Sequence, residues 1–316
     1  MTVTVAIPCY RSAETIAAVV EEAKTEILSR QGNDYQFVLV NDCSPDNTFD
    51  VISALALKDK KITGVCLSRN CGQEAATLAA LPFVRGDVCV FMDDDGQHPA
   101  DELYKLVDKV EEGYDLVYGR FSEKSHSLGK KLLSKIHGAI SEFNGTKVKG
   151  IYLSSFFALS KFAAKQLVNY RSPFVSRGGY LMEITARVVN VDINRQRDRI
   201  AGSSGYTLKK MLSMWMSSFT NFTMKPIRIA TAFGAFIAFW GFVYGLFLII
   251  RKLVNPDVVM GFTSIMAVML FLGGMIMITM GLLGEYIGRT YMTVSSMPQY
   301  VVRQALNTEN GDGTKE

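Results

Sequence analysis

The run Val88-Cys89-Val90-Phe91-Met92-Asp93-Asp94-Asp95-Gly96-Gln97 passes without a break from five apolar residues into three carboxylates, a glycine and a carboxamide. A short apolar run bounded by turn residues reads as a parallel strand covered on both faces. Ligands of open α/β sheets sit outside the carboxyl ends of such strands, and Asp93–Gln97 is where this one ends. Three acids this close repel one another unless something positive sits among them. Oxygen donors at this spacing suit a hard divalent cation, Mg²⁺ or Mn²⁺, which in turn holds a phosphate. A solvated acidic turn is the competing reading of the segment taken alone.

Upstream, Val3–Ile7 reads as a strand. Ser12 then reads as the cap of a helix whose apolar positions Ile16, Val19, Val20, Ala23 and Ile27 keep a 3.6-residue period. Phe37–Val40 is a second strand ending at Asn41-Asp42, and the turn Cys43–Asn47 leads into a helix carrying Val51, Ile52, Leu55 and Leu57. Ile62–Leu67 is a third strand and Gln73–Leu81 a helix. Beyond the Asp turn, Pro99 stands where the first turn of a helix accepts it, with Leu103, Leu106, Val107 and Val110 as the buried stripe. Leu116-Val117-Tyr118 is a fifth strand. This alternation predicts an α/β head with a doubly wound, mostly parallel sheet. The polar strand ends Pro8–Tyr10, Asn41–Asp42, Arg69–Asn70 and Asp93–Gln97 then converge on one edge, the expected site.

At 316 residues the chain has room for more than this head. Ile229–Ile250 and Val258–Leu283 carry no charge, and each exceeds the roughly 20 apolar residues that cross a bilayer. Glycines in or next to both (Gly234, Gly241, Gly245; Gly273, Gly274, Gly281, Gly284) suit close helix packing in lipid, and with it a homo-oligomer. Between head and spans, Leu208, Met211, Leu212, Trp215, Met216, Phe219 and Phe222 recur at helical spacing, as in a helix lying in the membrane interface. Packing onto the head's own core is the alternative. The expected division is a head over 1–206, an interfacial amphipathic helix over 207–226, two transmembrane helices over 227–289 and a polar tail over 290–316, disordered from Leu306. Met1 leads straight into a strand with no signal peptide, so head and tail are expected on the cytoplasmic face. Lys209, Lys210, Lys225, Arg228, Arg289 and Arg303, against Arg251 and Lys252 in the short connection, favour the same orientation.

The net charge of +4 is small and no basic run interleaves with aromatics in the head, which excludes nucleic acid as a partner class. Five cysteines, all in the head, form no CxxC pair and read as reduced core residues.

Four segments taken in order, Ala6–Tyr10, Val40–Thr48, Ser68–Gln73 and Asp93–Gln97, resemble the family 2 glycosyltransferases. More narrowly, the chain resembles the membrane-anchored polyprenyl-phosphate glycosyltransferases of the dolichol-phosphate-mannose-synthase type. Gly202–Thr207, Lys225–Arg228 and Gly284–Arg289 extend the resemblance over nearly the whole chain. It implies a GT-A head that takes a sugar from a UDP- or GDP-linked nucleotide-sugar. The sugar passes, with inversion, to a polyprenyl (undecaprenyl-type) phosphate for cell-envelope glycan modification. It implies that Asp93 and Asp95 bind the metal with Gln97 as a third ligand. Pro8, Tyr10 and Asp42 would line the nucleotide pocket with Glu14 and Asp94 nearby, and Arg199 would close near the phosphates. Lys130, Lys131 and Lys135 are candidate guides for the lipid phosphate. His98 is expected to face away or touch the donor phosphate weakly, with His126 and His137 at the surface.

Two departures from the family pattern bear on mechanism. Asn41-Asp42 stands where two aspartates are common. Ser155-Phe156-Phe157 stands where related enzymes carry Asp-Phe-Arg, the Asp being the proposed base and the Arg an acceptor contact. A phosphomonoester, with a second pKa of about 6, is already ionised near neutrality, whereas a sugar hydroxyl needs a base within hydrogen-bond reach. The missing Asp is therefore easier to reconcile with a lipid-phosphate acceptor. The same departure supports a rival reading, a membrane scaffold that binds a nucleotide-sugar without turning it over. A nucleotidyltransferase lacks support, since Pro8–Glu14 is no glycine-rich loop. A polysaccharide synthase would need more spans.

Overall fold

In the computed structural model, residues 1–121, 150–170, 180–181, 184–194, 225–254, 262–295 and 298–308 are described. The head begins with β1 (Thr2–Cys9), α1 (Ile16–Ser29), β2 (Asp34–Asn41), α2 (Thr48–Lys58) and β3 (Ile62–Leu67). It continues through α3 (Gln73–Ala80), β4 (Val88–Phe91), α4 (Leu103–Glu111) and β5 (Leu116–Phe121). Next come β6 (Phe157–Ser160), α5 (Lys161–Leu167) and β7 (Val188–Ile193). Two long helices, α6 (Lys225–Val254) and α7 (Phe262–Val294), precede a last strand, β8 (Val302–Leu306).

The strand order is β7-β5-β6-β4-β1-β2-β3-β8. β1 pairs in parallel with β2 and β4, β2 with β3, and β5 with β7. β6 runs antiparallel between β4 and β5, and β8 runs antiparallel along β3. The sheet is thus mostly parallel, as expected, with two reversed strands that the alternation did not reveal. The reversal has a chemical consequence. An antiparallel strand starts at the edge where its neighbours finish, and Phe91 pairs with Phe157, so Ser155 arrives beside the Asp turn.

Strand side chains alternate between two apolar layers. Val3, Val5, Ile7, Phe37, Leu39 and Val90 pack with α1, α2 and α4. Ala6, Val38, Val40, Val65 and Phe91 pack with α3 and α5 on the other face. The buried stripe of α1 is the expected set, Ile16, Val19, Val20, Ala23 and Ile27, and α4 buries Leu103, Leu106, Val107 and Val110. In α2 one expectation fails: Leu57 is 78 % exposed. Ile52 and Ala56 point inward four residues apart, and Leu57 lies about 100° further round the helix. Ser12 does not cap α1, which begins at Ile16 after Thr15; its carbonyl accepts from Thr15 and Ile16, and its hydroxyl is committed elsewhere. Of the cysteines, Cys9 and Cys89 are core, while Cys43 is exposed and Cys66 and Cys71 are half-buried.

Gly86 packs against the start of β1. A Cβ there would stand 2.6 Å from Thr4 Oγ1, 2.7 Å from the Thr2 carbonyl and 2.8 Å from the Thr4 nitrogen. Two of those atoms belong to the backbone of the strand beside β4 and cannot swing aside. Gly86→Ala is expected to destabilise the head by about 2–3 kcal/mol, in the range of overpacking. A thermal-unfolding midpoint equal to that of the parent would count against this packing.

The chain divides into two units, residues 1–208 with 296–316, and residues 209–295. Among the described residues, 298–308 group with the head. Disorder is expected from Leu306; β8 runs up to that residue along the edge of β3, which supplies the backbone partners the sequence does not show, and 309–316 lie outside the described residues. In the second unit, one helical segment among the described residues, Phe271–Val294, is long and apolar enough to cross a membrane; Thr231–Tyr244 in α6 is a shorter apolar stretch. The interfacial helix expected over 207–226 falls outside the described residues up to the start of α6.

Candidate active site

Because β1 to β4 run in parallel, their carboxyl ends share one edge. The order turns at β1, with β2 and β3 on one side and β4 on the other. The crevice at such a switch point is where open α/β sheets bind ligands. The loops following the four strands meet there, and carboxylates tie them to each other.

Asp94 reaches across the switch point. One of its oxygens accepts from the Tyr10 backbone N–H at 2.9 Å and from the Ser12 hydroxyl. The first loop joins the second through Arg11 N–H donating to Ser44 Oγ at 2.7 Å and Ser12 N–H donating to Thr48 Oγ1 at 2.9 Å. Asp42, 3 % exposed, joins the second loop to the third by accepting from Cys71 N–H at 2.7 Å and Gly72 N–H at 2.8 Å. Gln73 joins the third to the fourth, its Nε2 donating to Asp93 Oδ1 at 2.6 Å. The four loops form a closed ring. Hydrogen bonds to ionised acceptors are among the stronger ones a protein makes, and burial pushes the carboxyls of Asp42 and Asp94 up against these bonds.

Asp93 is held on its other oxygen too. Ser155 Oγ donates to Asp93 Oδ2 at 2.8 Å, with His98 Nε2 3.4 Å from the same oxygen. His98 does not face away from the Asp turn. It is 2 % exposed and packs against the rings of Phe156 and Phe121, which also pack against each other. Its Nδ1 accepts from the Asp93 backbone N–H at 2.9 Å, which leaves the ring proton of the neutral imidazole on Nε2. Burial pushes its pKa down, against the opposing pull of Asp93 and Asp95.

Asp95 turns back on its own loop, where Oδ1 accepts from Gln97 N–H at 3.0 Å, and Gly96 at φ +72 makes the turn tight. The three aspartates thus diverge. Among the described residues, no three His, Cys, Asp or Glu side chains converge on a metal position. The expected ligand set of Asp93, Asp95 and Gln97 draws on only two of that kind. No described Lys or Arg pairs with Asp93 or Asp94, so their charge is uncompensated within the described chain. That excess of hard oxygen donors fits a divalent cation.

The remaining expected residues are dispersed round the ring. Tyr10 is 45 % exposed with the Arg11 guanidinium 5.7 Å from its ring centre, Pro8 is half-buried and Glu14 exposed. Arg11 (φ +59) and Cys43 (φ +50) both hold left-handed backbone, uncommon for side-chain-bearing residues and often concentrated at functional sites. Arg199, Lys130, Lys131, Lys135, His126 and His137 lie outside the described residues.

The family model for glycosyl transferase family 2 matches residues 4–172, a stretch holding all four loops and Ser155. The chain is a family 2 glycosyltransferase. Its mixed, mostly parallel sheet is a GT-A head. A second model, the GtrB C-terminal hairpin, matches residues 225–290 of the glycosyltransferase. The chain is 30 % identical to the undecaprenyl-phosphate 4-deoxy-4-formamido-L-arabinose transferase of Yersinia enterocolitica over 99 % of its own length and 96 % of that protein's. It is 29 % identical to the SfII prophage-derived bactoprenol glucosyl transferase of Shigella flexneri, over 96 % and 98 %. Among solved structures, glucosyl-3-phosphoglycerate synthase from Mycobacterium tuberculosis, in complex with Mn²⁺, UDP and phosphoglyceric acid, aligns with a TM-score of 0.45 and 17 % identity over 68 % of this chain and 75 % of that one.

Gln73, Ser12 and His98 were given no such place by the sequence of the glycosyltransferase. Gln73 carried a usable signal, since it opens a helix at the same edge as the Asp turn. Ser12 and His98 carried none: Asp94, which takes the Ser12 hydroxyl, and the Phe121 and Phe156 rings that bury His98 come from distant parts of the chain.

Proposed function

We propose that this glycosyltransferase moves a sugar from a UDP- or GDP-sugar, with inversion, to a polyprenyl phosphate of the undecaprenyl type at the cytoplasmic membrane face, for cell-envelope glycan modification. Two full-length relatives bear names of that class but differ in the sugar they name, so the sugar is left open. One observation carries the choice of acceptor. The position opposite the Asp turn holds the hydroxyl of Ser155, which donates to Asp93, and not a carboxylate. The imidazole beside it cannot substitute as base, its free lone pair being taken by Asp93 N–H. A sugar hydroxyl would need such a base; an ionised phosphate needs only to be positioned and screened.

In this reading the loop ring presents the exposed Tyr10 towards the nucleotide, the buried Asp42 holds the third loop beside it, and Pro8 and Glu14 lie at its margin. A cation, Mg²⁺ or Mn²⁺, held by Asp93, Asp95 and Gln97 supplies Lewis-acid neutralisation of the departing diphosphate when bound. Asp94 serves by fixing the first loop. Arg199 and the Lys130, Lys131 and Lys135 group are the proposed basic contacts of the two phosphate-bearing substrates.

The two-span membrane anchor is supported by three facts. Residues 225–290 match a hairpin family. Large apolar side chains such as Phe236, Phe239, Phe242, Ile276, Met277 and Met280 are exposed along α6 and α7. β8 pairs with β3, so the chain returns to the sheet it left, and a chain doing so crosses a bilayer an even number of times. One crossing by α7 then calls for a second, which this reading assigns to α6.

The test is an assay of the detergent-purified protein with Mn²⁺ and a panel of UDP- and GDP-sugars. The acceptors compared are undecaprenyl phosphate, undecaprenol and none. Glycolipid formed with the phosphate and not with the alcohol is the expected result. Transfer to the alcohol or to a glycan hydroxyl in preference would overturn it.

A further inference from the structure

We propose that Ser155, Gln73 and His98 are positioning residues, a cradle that orients Asp93 as a ligand of the divalent cation. The inference rests on the metal-dependent reading above and assigns it residues beyond the Asp turn. Three separate parts of the fold supply the cradle. Gln73 is the first residue of α3 and holds Oδ1; Ser155 precedes the reversed strand β6 and holds Oδ2. His98 closes the turn itself, accepting from the Asp93 N–H while its Nε2 faces both Oδ2 and, at 3.4 Å, Ser155 Oγ. Backbone and carboxylate of one residue are thereby fixed together.

Two features distinguish this from ordinary surface bonding. The donors are uncharged. A Lys or Arg in either place would cancel the Asp93 charge and compete with a cation, whereas an amide and a hydroxyl fix the carboxylate and leave its charge available. Each carboxylate oxygen carries about two acceptor sites; Oδ1 takes one donor, from Gln73, and keeps a site open, while Oδ2 faces Ser155 and His98. Gln73 is also exposed, where a side-chain bond contributes little to folding. Its value lies in where it aims Asp93. Ligating carboxylates are commonly held this way by outer hydrogen bonds, and loss of such a partner costs roughly 10–100-fold in metal affinity.

The experiment measures Mn²⁺ binding to the full-length, detergent-purified protein by electron paramagnetic resonance of the free ion, with UDP present. Gln73→Ala and Ser155→Ala are each expected to weaken Mn²⁺ binding about tenfold or more, with unfolding temperatures close to the parent. Ser155→Thr, which keeps the hydroxyl, is expected to restore it. Gln73→Glu, nearly isosteric but without the donor, should behave like or worse than Gln73→Ala. If Asp93→Ala abolishes Mn²⁺ binding while the Gln73 and Ser155 variants bind as the parent does, the cradle is overturned and the metal reading stands. If Asp93→Ala and Asp95→Ala both bind Mn²⁺ normally, the metal reading falls and the cradle with it.

Discussion

Asp95→Ala is expected to lower sugar transfer by on the order of 10³-fold or more while leaving the head folded. Asp95 sits half-exposed in the turn after β4, outside the apolar layers, and bonds its own loop at Gln97. The bonds that join the loops into a ring run through Asp42, Asp93 and Asp94, so loss of the Asp95 carboxylate should spare them. Lewis-acid stabilisation of a leaving diphosphate is worth several kcal/mol, and each 1.36 kcal/mol is about a factor of ten in rate. Initial rates with labelled donor and undecaprenyl phosphate, beside the unfolding midpoint of the variant, separate the two effects. Turnover within about tenfold of the parent, at unchanged stability, would remove Asp95 from the catalytic assignment and favour metal-free screening of the diphosphate.

The site was legible as a place before it was legible as a set of contacts. Polar residues closing four apolar runs must meet if the strands are parallel, and they do. What each carboxylate does was hidden, because it depends on partners set by topology. Ser155 reaches Asp93 only because β6 runs backwards, and nothing in Phe157–Ser160 announces its direction. Ser12 precedes an apolar helical period, the usual sign of a cap, but the helix starts four residues later and the hydroxyl goes to Asp94. His98 looked like a polar residue beside a proline; the Phe121 and Phe156 rings that bury it come from distant segments.

The same division holds for the fold. Strands and helices of the first 120 residues follow from uninterrupted apolar runs and 3.6-residue periods, since those elements are buried on one or both sides. β8 escaped because an edge strand keeps one side open to solvent. Val302-Arg303-Gln304-Ala305-Leu306 has no clean period, and its partner edge lies some 240 residues earlier in the chain.

That strand carries the second large expected effect. A chain ending at residue 297 should fail to fold its head, whereas one ending at Thr308 should match the parent. The shorter chain loses the pairing of β8 with Gly64, Val65, Cys66 and Leu67 and leaves the β3 edge open to aggregation. It also loses Asn307, whose Nδ2 donates to the Ala56 carbonyl at 2.6 Å and the Ile62 carbonyl at 2.9 Å, and whose own carbonyl accepts from Arg85 Nη2 at 3.3 Å. Asn307 adopts φ +55 to do so, a conformation asparagine tolerates better than most residues. With net hydrogen bonds worth about 1 kcal/mol each and apolar side chains such as Leu306 up to about 2 kcal/mol, the loss is on the order of 5 kcal/mol. That equals much of a domain's total stability of about 5–15 kcal/mol. The damage also reaches the site, because Ser68 N–H donates to the Val301 carbonyl at 2.9 Å, and Ser68 opens the loop that carries Cys71, Gly72 and Gln73. Thermal unfolding and limited proteolysis of the two truncations decide the matter: a chain ending at residue 297 that melts within about 2 °C of the parent would reduce β8 to a passive cover.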